Sequence, residues 1–289
     1  MGFADVGDEV AFTDEDTDAL RLIGTLLRRG VLDHDTALDV ARSLGQTTSR
    51  LADWQVDTFG RLLAERGVID RADPLSEESA GALFRELELL LPAMERLLVH
   101  AWRRQLAAAF ERGLGDAGQP DAVDAGRLTV GFVDQVGFTR LARGLDAAEL
   151  GALVDRFESR SADVVAAESG RLIKTLGDEI LFVASDPGAA AQIALRLIAL
   201  HESDSTVPRL RIGLATGFVV ARRGDVHGTT VNLASRLTAL ARPDSVLVDP
   251  VTAVELADDD RFALHPQPPR DVRGIGTVRP VVLERGDRE

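Results

Sequence analysis

The first half of the chain carries its apolar residues at intervals of three and four, the spacing of one face of an α-helix. Thr13 and the three acidic residues that follow it predict a helix N-terminus, and this helix is expected to end at Gly30. Further helices are predicted over 35–44 and 47–66, followed by a turn or short linker over 70–74. The N-terminal half is therefore predicted to be all-α.

The longest helical pattern in the chain covers about residues 76–112, and Pro92 is expected to kink or divide it. Its apolar positions are Leu83, Leu87, Leu90, Leu91, Met94, Leu97, Leu98, Ala101, Trp102, Leu106 and Phe110. Residues 113–126 follow, are rich in Gly and Asp, lack periodicity and are predicted to be a linker. The pattern thus predicts a helical domain over 1–112 and a second domain over 127–289.

In the second domain, shorter β-rich runs bounded by turn residues replace the helical spacing. Strands are predicted over 127–133, 172–175, 180–184 and 210–221. The second and third of these flank Leu176-Gly-Asp178, which is typical of a hairpin turn. Mixed strands and helices after a helical half indicate an α+β fold class for the chain.

The amino-acid composition argues against several classes of site and of binding partner. The 289 residues include no cysteine, which excludes disulfides and thiolate metal sites and favours a cytoplasmic location. The net charge of −14 argues against general binding to nucleic acid or to anionic membranes. No apolar window is long enough to span a bilayer, and the acidic N-terminus does not resemble a signal peptide.

A helix-turn-helix is the competing hypothesis for residues 36–54, where Gly45 would form the turn between two helices. Such helical pairs also serve only for packing. Residues 1–122 carry 23 acidic and 13 basic side chains, a net charge of −10. DNA binding is disfavoured there because DNA is itself polyanionic.

One lysine stands out in the second domain. The chain has 33 basic residues, and Lys174 is its only lysine. Lysine is a compact point donor, whereas arginine presents a wide planar fork, so the two are not interchangeable at a precise contact. The alternative is a leftover surface lysine, but the apolar strand around it favours a functional role.

Two aspartates and one helix carry further candidate chemistry. Asp134 ends the strand 127–133 and Asp178 lies in the hairpin turn, so the pair is suited to divalent cations beside a polyphosphate. Asn232 and Arg236 are four residues apart and share one face of a helix, where both can donate to a developing negative charge. The alternatives are turn-forming aspartates and a solvated helix face.

Three segments together resemble the catalytic domain of the class III nucleotidyl cyclases: Phe132-Val-Asp-Gln-Val-Gly-Phe-Thr139, Ile173-Lys-Thr-Leu-Gly-Asp178 and Gly224-Asp-Val-His-Gly-Thr-Thr-Val-Asn-Leu-Ala-Ser-Arg236. The resemblance covers about residues 127–285. It implies a ferredoxin-like βααββαβ core that forms a head-to-tail homodimer. It also implies that ATP or GTP is cyclised with two Mg²⁺ or Mn²⁺ ions per site.

The resemblance assigns roles to eight residues. Asp134 and Asp178 are expected to hold the metals, and Asn232 and Arg236 to be catalytic at the transition state. Lys174 and Asp225 are expected to bind the base, with Phe138 and Thr139 as further substrate-binding positions. Adenine presents a ring acceptor beside an amino donor, which suits a lysine and an aspartate, whereas guanine reverses this polarity. The pair therefore predicts an adenylate cyclase, with a guanylate cyclase or a degenerate nucleotide sensor as alternatives.

The helical half resembles, more loosely, the N-terminal regulatory domain of a bacterial subset of these cyclases. In that subset the last long helix leads into the catalytic domain, and some members respond to pH or lipids. Five histidines, at positions 34, 100, 201, 227 and 265, show no clustering, so the residues do not identify a pH sensor.

Overall fold

The computed structural model describes residues 13–67, 77–116, 125–202, 207–222 and 224–286. The chain divides into two compact units, Met1–Arg112 and Gly113–Glu289. The turn predicted over 70–74 lies outside the described residues. In the part of the chain that is described, no helix is both long and apolar enough to cross a membrane.

The first unit is helical, as predicted. Its helices are α1 (Asp14–Arg28), α2 (His34–Glu65) and α3 (Glu77–Asp116). Thr13 forms a capping box with Asp16: its side chain accepts from the Asp16 N–H, and the Asp16 carboxylate accepts from the Thr13 N–H at 2.9 Å. The predicted helix N-terminus is therefore confirmed, and its physical basis is the pairing of backbone N–H groups that the helix leaves open.

The prediction of two helices separated at Gly45 is wrong, because α2 continues through this position. A glycine inside a helix costs only about 1 kcal/mol relative to alanine, and the long helix absorbs this cost. The Thr48 hydroxyl donates back to the Leu44 carbonyl at 2.8 Å, so it does not cap a new helix. Without a turn, the segment is not a helix-turn-helix.

Pro92 was expected to kink α3 or to divide it, and the helix is not divided there. It includes Pro92 and ends at Asp116, and the first strand of the second unit begins at Ala125. Both ends of the predicted linker 113–126 therefore lie inside regular structure, and the positions between them lie outside the described residues. A helix of 40 residues tolerates one missing hydrogen bond because the other turns keep theirs.

The helical unit has a small core of its own. Among its described side chains, only the apolar Ala37 and Leu63 are buried. Many large apolar side chains on α3 are exposed instead, among them Phe84, Leu89, Leu91, Leu97, Trp102 and Phe110. The apolar stripe predicted for this helix is thus present but is largely uncovered.

The second unit is a mixed α and β domain. In chain order its elements are β1 (Ala125–Gln135), α4 (Phe138–Ala142), α5 (Ala147–Ala167), β2 (Arg171–Leu176), β3 (Glu179–Ala184), α6 (Pro187–Glu202), β4 (Leu210–Arg222), β5 (Asp225–His227), α7 (Thr229–Leu240), β6 (Ser245–Val248), α8 (Pro250–Leu256), β7 (Phe262–Pro266), β8 (Arg270–Val272), β9 (Gly276–Val278) and β10 (Val281–Arg285). The order from β1 to β4 is βααββαβ. The α+β fold class is therefore confirmed.

The main sheet has the strand order β2-β3-β1-β4-β6-β10-β7, with β5 added to the end of β4. β1 is central and pairs antiparallel with β3 on one side and with β4 on the other. Successive residues on β1 alternate between two apolar clusters: Val133 belongs to one, whereas Val130 and Phe132 belong to the other. Both sheet faces are therefore buried, which explains the nearly continuous apolar strands.

α7 covers one of these faces and approaches the sheet very closely. The Thr238 hydroxyl donates to the Phe132 carbonyl at 3.2 Å, and the Thr230 hydroxyl donates to the Phe218 carbonyl at 2.9 Å. Gly213 on β4 makes this approach feasible, because a Cβ there would overlap with backbone atoms of α7. The height of α7 above the sheet thus depends on the missing side chain of Gly213.

We expect Gly213→Ala to push α7 off the sheet. Overpacking of this kind costs about 1–3 kcal/mol of stability, which urea unfolding of the full chain measures. Displacing a helix by about 1 Å is enough to lower a catalytic rate on the order of 10²-fold, if the exposed face of α7 contributes to catalysis as the resemblance implies.

Gly126→Ala is the matched control, because a Cβ at Gly126 has no heavy atom within 4 Å. This control is expected to keep wild-type stability. Equal stability of the two alanine variants would contradict the close-approach explanation.

Candidate active site

The structure brings Lys174 and Asp225 together, although they are 51 residues apart in the chain. Lys174 lies on β2 and Asp225 begins β5, and the Lys174 Nζ is 2.6 Å from Asp225 Oδ2. Both side chains are partly exposed, so the pair lies at the surface of the domain and a ligand can reach it. The two residues expected to bind a base thus form one charged pair.

Asp225 is held in its ionised form. Partial burial raises the pKa of its carboxyl, but the hydrogen bond from Lys174 and the N–H of Val226 outweigh burial, so the net pKa is lowered. The Val226 N–H donates to Oδ1 at 2.8 Å, which leaves Oδ2 for Lys174. Asp225 is therefore an acceptor at neutral pH, as hydrogen bonding to an amino group requires.

The structure also places the turn that contains Asp178 next to the end of β1, where Asp134 lies. Asp178 lies in the turn between β2 and β3, where Gly177 adopts φ 72°, a conformation that glycine provides without strain. The Gln135 N–H donates to the Asp178 carbonyl at 3.0 Å, which fixes the turn against the end of β1. The negative charge of Asp178 contributes to raising the pKa of Asp134, so the two carboxylates are electrostatically coupled.

Two charged residues that sequence reasoning missed flank Asp134. On β1, Asp134 pairs with Glu179 of β3 and with Arg211 of β4. Cross-strand partners lie on the same face of a sheet, and Arg211 Nε is 2.5 Å from Asp134 Oδ2. A signal for Arg211 exists in the sequence: it is a charged residue inside the otherwise apolar start of β4.

Burial dominates the electrostatics of this carboxylate group. It raises the pKa of Asp134, an effect that Arg211 opposes and Asp178 reinforces. Burial also raises the pKa of Glu179, and the charges of Asp134 and Asp178 add to this shift. Asp134 and Glu179 therefore hold protons more tightly than usual, and a cation bound beside them would favour their charged forms.

α7 presents the remaining catalytic candidates. Asn232 and Arg236 are exposed, whereas Ala234 and Leu237 of the same helix are buried against the sheet. The side chains of Asn232 and Arg236 form no hydrogen bond and no ion pair with a described residue. Both side chains are therefore available to an external partner, as the shared helix face predicted.

Phe138 and Thr139 begin the short helix α4, directly after the strand end that carries Asp134. Phe138 is half-buried and Thr139 is exposed. Both therefore follow Asp134 closely in the chain, and no hydrogen bond or ion pair to a described residue involves either side chain.

The donor set suits a hard divalent cation that also binds a substrate. Within the described ranges, no group of three or more His, Cys, Asp or Glu side chains is arranged to hold a metal ion. Asp134 and Asp178, the two predicted ligands, are therefore a pair of carboxylates and are not part of a larger group of that kind in those ranges. Mg²⁺ is commonly bound in this way, by one or two carboxylates together with substrate phosphates and water.

The comparisons with known proteins agree with this geometry. Residues 121–285 match the family described as the adenylate and guanylate cyclase catalytic domain. The chain belongs to this family, the class III nucleotidyl cyclases.

Several relatives that match nearly the whole of this chain are named adenylate cyclases. An adenylate cyclase of Streptomyces coelicolor is 46% identical over 99% of this chain and 80% of its own length. One from Streptomyces griseus is 44% identical over 99% of this chain and 79% of its own length. A pH-sensitive adenylate cyclase of Mycobacterium tuberculosis is 34% identical over 88% of this chain and 64% of its own length. The similarity thus includes the helical unit.

Solved structures confirm the fold of the second unit. The catalytic core of a rhodopsin-guanylyl cyclase with converted specificity, in complex with ATPalphaS, aligns with a TM-score of 0.52 and 22% identity over 56% of this chain and 99% of that one. The adenylyl cyclase CyaB from P. aeruginosa aligns with a TM-score of 0.50 and 21% identity over 57% of this chain and 98% of that one.

Proposed function

We propose that this chain converts ATP to 3′,5′-cyclic AMP and pyrophosphate. The observation that carries the proposal is the contact between Lys174 Nζ and Asp225 Oδ2 at 2.6 Å. A donor and an acceptor that touch each other also lie close enough to engage adjacent positions on one edge of a base. The names of the full-length relatives support the same substrate.

The polarity of the pair selects adenine over guanine. The ammonium of Lys174 donates to the ring nitrogen N1, and the carboxylate of Asp225 accepts from the 6-amino group. Guanine carries a donor at N1 and an acceptor at position 6, so both contacts would be lost. A site that leaves buried polar groups unpaired rejects the wrong ligand strongly.

In the proposed reaction, the ribose 3′-oxygen bonds to the α-phosphorus as the bond to the β-phosphate bridging oxygen breaks. The hydroxyl proton is released and pyrophosphate leaves. Asn232 and Arg236 donate to the ribose and to the phosphorane-like charge, which is greatest in the transition state. Phe138 and Thr139 contact the substrate beside the carboxylates. Asp134 and Asp178 would hold two Mg²⁺ or Mn²⁺ ions, which would supply positive charge beside the polyphosphate.

We also propose that the active form is a homodimer with two sites at its interface. The proposal rests on the family resemblance and on the exposed, unpaired state of Asn232 and Arg236. In this arrangement the metal carboxylates come from one protomer. The base-binding pair and the α7 residues come from its partner, so a monomer has no complete site.

The helical unit is proposed to regulate this activity. α3 is the last helix before the catalytic strands, so a change in its position alters how two catalytic units meet. Two kinds of regulatory signal, a lipid and a change of pH, are proposed for the helical unit. The exposed apolar side chains of α3 suit a lipid. A pH signal is supported by similarity to the relative that is named pH-sensitive.

Base choice is tested by exchanging the polarity of the pair. With Mn²⁺, the full chain is expected to form cyclic AMP from ATP and to use GTP poorly. Lys174→Glu with Asp225→Ser should lower the preference for ATP on the order of 10²-fold or more. The measurement is kcat/KM with ATP and with GTP.

Lys174→Arg is the charge-matched variant, and it should also be impaired because the planar fork does not fit a point-donor position. Unchanged discrimination in the double variant would show that the base is recognised elsewhere. Absence of any turnover by the wild-type chain would favour a nucleotide sensor.

Shared sites are tested by complementation. Asp134→Ala and Asn232→Ala should each be nearly inactive, since each change damages both sites of its homodimer. When the two are mixed, about half of the dimers are mixed dimers with one intact site, so activity should recover to roughly a quarter of wild type. Native mass spectrometry of the mixture would test whether the subunits exchange. If mixed dimers form and no activity returns, the shared-site arrangement is ruled out.

Regulation is tested by removing the helical unit. Cyclic AMP formation by residues 123–289 is expected to differ several-fold from that of the full chain, with release of inhibition as the expected direction. The comparison is made at one dimer concentration, checked by sedimentation. Identical kcat and KM for the two forms would mean that the helical unit does not regulate catalysis.

A further inference from the structure

A cavity of about 310 Å³ lies between α6 and the sheet, beside the start of β6 and the end of β10. Its floor is apolar, because Ile198 of α6, Val246 of β6 and Leu283 of β10 belong to one buried cluster. None of the predicted site residues lines it. Cavities of this volume are at the lower end of the range that binds small organic molecules. The proposed reaction leaves this cavity without a role.

The charged groups at the mouth of the cavity are unevenly paired. Side chains alternate along β10, so Arg285 lies on the face of the apolar floor and Glu284 lies on the opposite face. There the Glu284 carboxylate is 3.4 Å from Nε2 of His265. Asp244 also lines the cavity, and its carboxylate is paired with Arg209. The Arg285 side chain forms no hydrogen bond and no ion pair with a described residue, so the unpaired charge is positive.

An apolar floor beside an unpaired guanidinium suits a carboxylate that has an apolar body. The guanidinium of Arg285 can donate two parallel N–H bonds to a carboxylate, and the floor removes the apolar body from water. A nucleotide fits this cavity less well, because the floor offers its polar groups no partners. An organic cation would be repelled by Arg285. The cavity therefore favours a small amphipathic anion.

The cavity is connected to the strand end that carries Asp134. Asp244 adopts φ 57°, a left-handed conformation that aspartate and asparagine tolerate better than most residues. Its N–H donates to the Leu210 carbonyl at 2.6 Å, and the carbonyl of Arg209 accepts from the Val136 N–H at 2.8 Å. Two backbone hydrogen bonds thus lead from the rim of the cavity to the segment that follows Asp134.

We propose that this cavity is an effector site for a small carboxylate with an apolar body, held by Arg285. Since Leu283 pairs with Val246, continuation of the ladder by two residues places Arg285 beside Asp244. A carboxylate bound to Arg285 therefore repels Asp244, and the two hydrogen bonds pass the displacement to Val136. Binding does not depend on the proposed reaction, whereas the effect on catalysis rests on it.

Binding is tested by adding hexanoate to the full chain and following the NMR signals of its backbone amides. Hexanoate is expected to shift the amide signals of Val136 and Asp244 until the site is saturated. Hexanol keeps the apolar body without the charge, and acetate keeps the charge without the body. Each should bind at least about tenfold more weakly than hexanoate. Absence of a saturable shift with hexanoate, or equal affinity for hexanol, would overturn the proposal.

Arg285→Met keeps the aliphatic stem and removes the charge, so hexanoate should bind on the order of tenfold more weakly. Arg279→Met is the matched control, because Arg279 is also exposed, its side chain has no hydrogen bond or ion pair with a described residue, and it precedes the other end of β10. An equal loss of affinity in both variants would reduce the effect to general charge and overturn the proposal.

Ala199→Trp fills the cavity from an exposed position on α6, so it removes no buried contact and should abolish the binding of hexanoate. Wild-type affinity in this variant would show that hexanoate binds elsewhere and would overturn the proposal.

The effect on catalysis is measured as kcat for cyclic AMP formation at saturating Mn²⁺ and ATP. Hexanoate is expected to lower kcat about fivefold in the wild-type chain, because it displaces the strand end beside Asp134, and to have little effect in Arg285→Met at the same concentration. An unchanged or raised kcat at saturating hexanoate would overturn the effector role. Saturable binding at Arg285 in a chain that forms no cyclic AMP would support the site and contradict only the proposed function.

Discussion

The antiparallel pairing of β1 with both β3 and β4 is the constraint on which the site depends. Val130 and Val133 of β1 are completely buried, so the apolar core holds the strand in place. Because the strand is fixed, the register of the two ladders places Asp134 between Glu179 on β3 and Arg211 on β4. Like charges on facing residues are unfavourable, and the guanidinium offsets the repulsion between the carboxylates. Apolar packing thus maintains an electrostatic arrangement that would not form by itself.

On α7, too, the buried residues fix the position of the element and the exposed residues carry the candidate chemistry. Its buried side adjusts to the sheet through Gly213 and through two threonine hydroxyls that donate to strand carbonyls. Its opposite side is free to carry Asn232 and Arg236. Because the helix is anchored to the backbone of β1 and β4 at two points, the polar face is positioned by bonds that do not involve the catalytic candidates themselves. Variation of those two side chains therefore need not disturb the fold.

Local signals predicted much of this structure. The hairpin at Gly177 follows from two apolar runs around a turn, and the capping box at Thr13 follows from a threonine before three acids. The prediction of a helix end at Gly45 was wrong. The preference of glycine for helix ends is weak, and the cooperativity of a long helix outweighs it. Asp134 and Arg211 are 77 residues apart, and their contact depends on which strands are neighbours in the sheet. Spacing along the chain contains no such information, so Arg211 and Glu179 were found only in the structure.

The lone lysine has a consequence for the chemistry of the whole molecule. Apart from the α-amino group, Nζ of Lys174 is the single primary amine of the chain, and it lies in the proposed base pocket. Every amine-directed modification of a side chain, whether a laboratory acyl reagent or cellular acetylation, is therefore confined to one atom. Acylation there would remove the positive charge that pairs with Asp225. The modification state of a single nitrogen would thus report whether the base pocket is occupied.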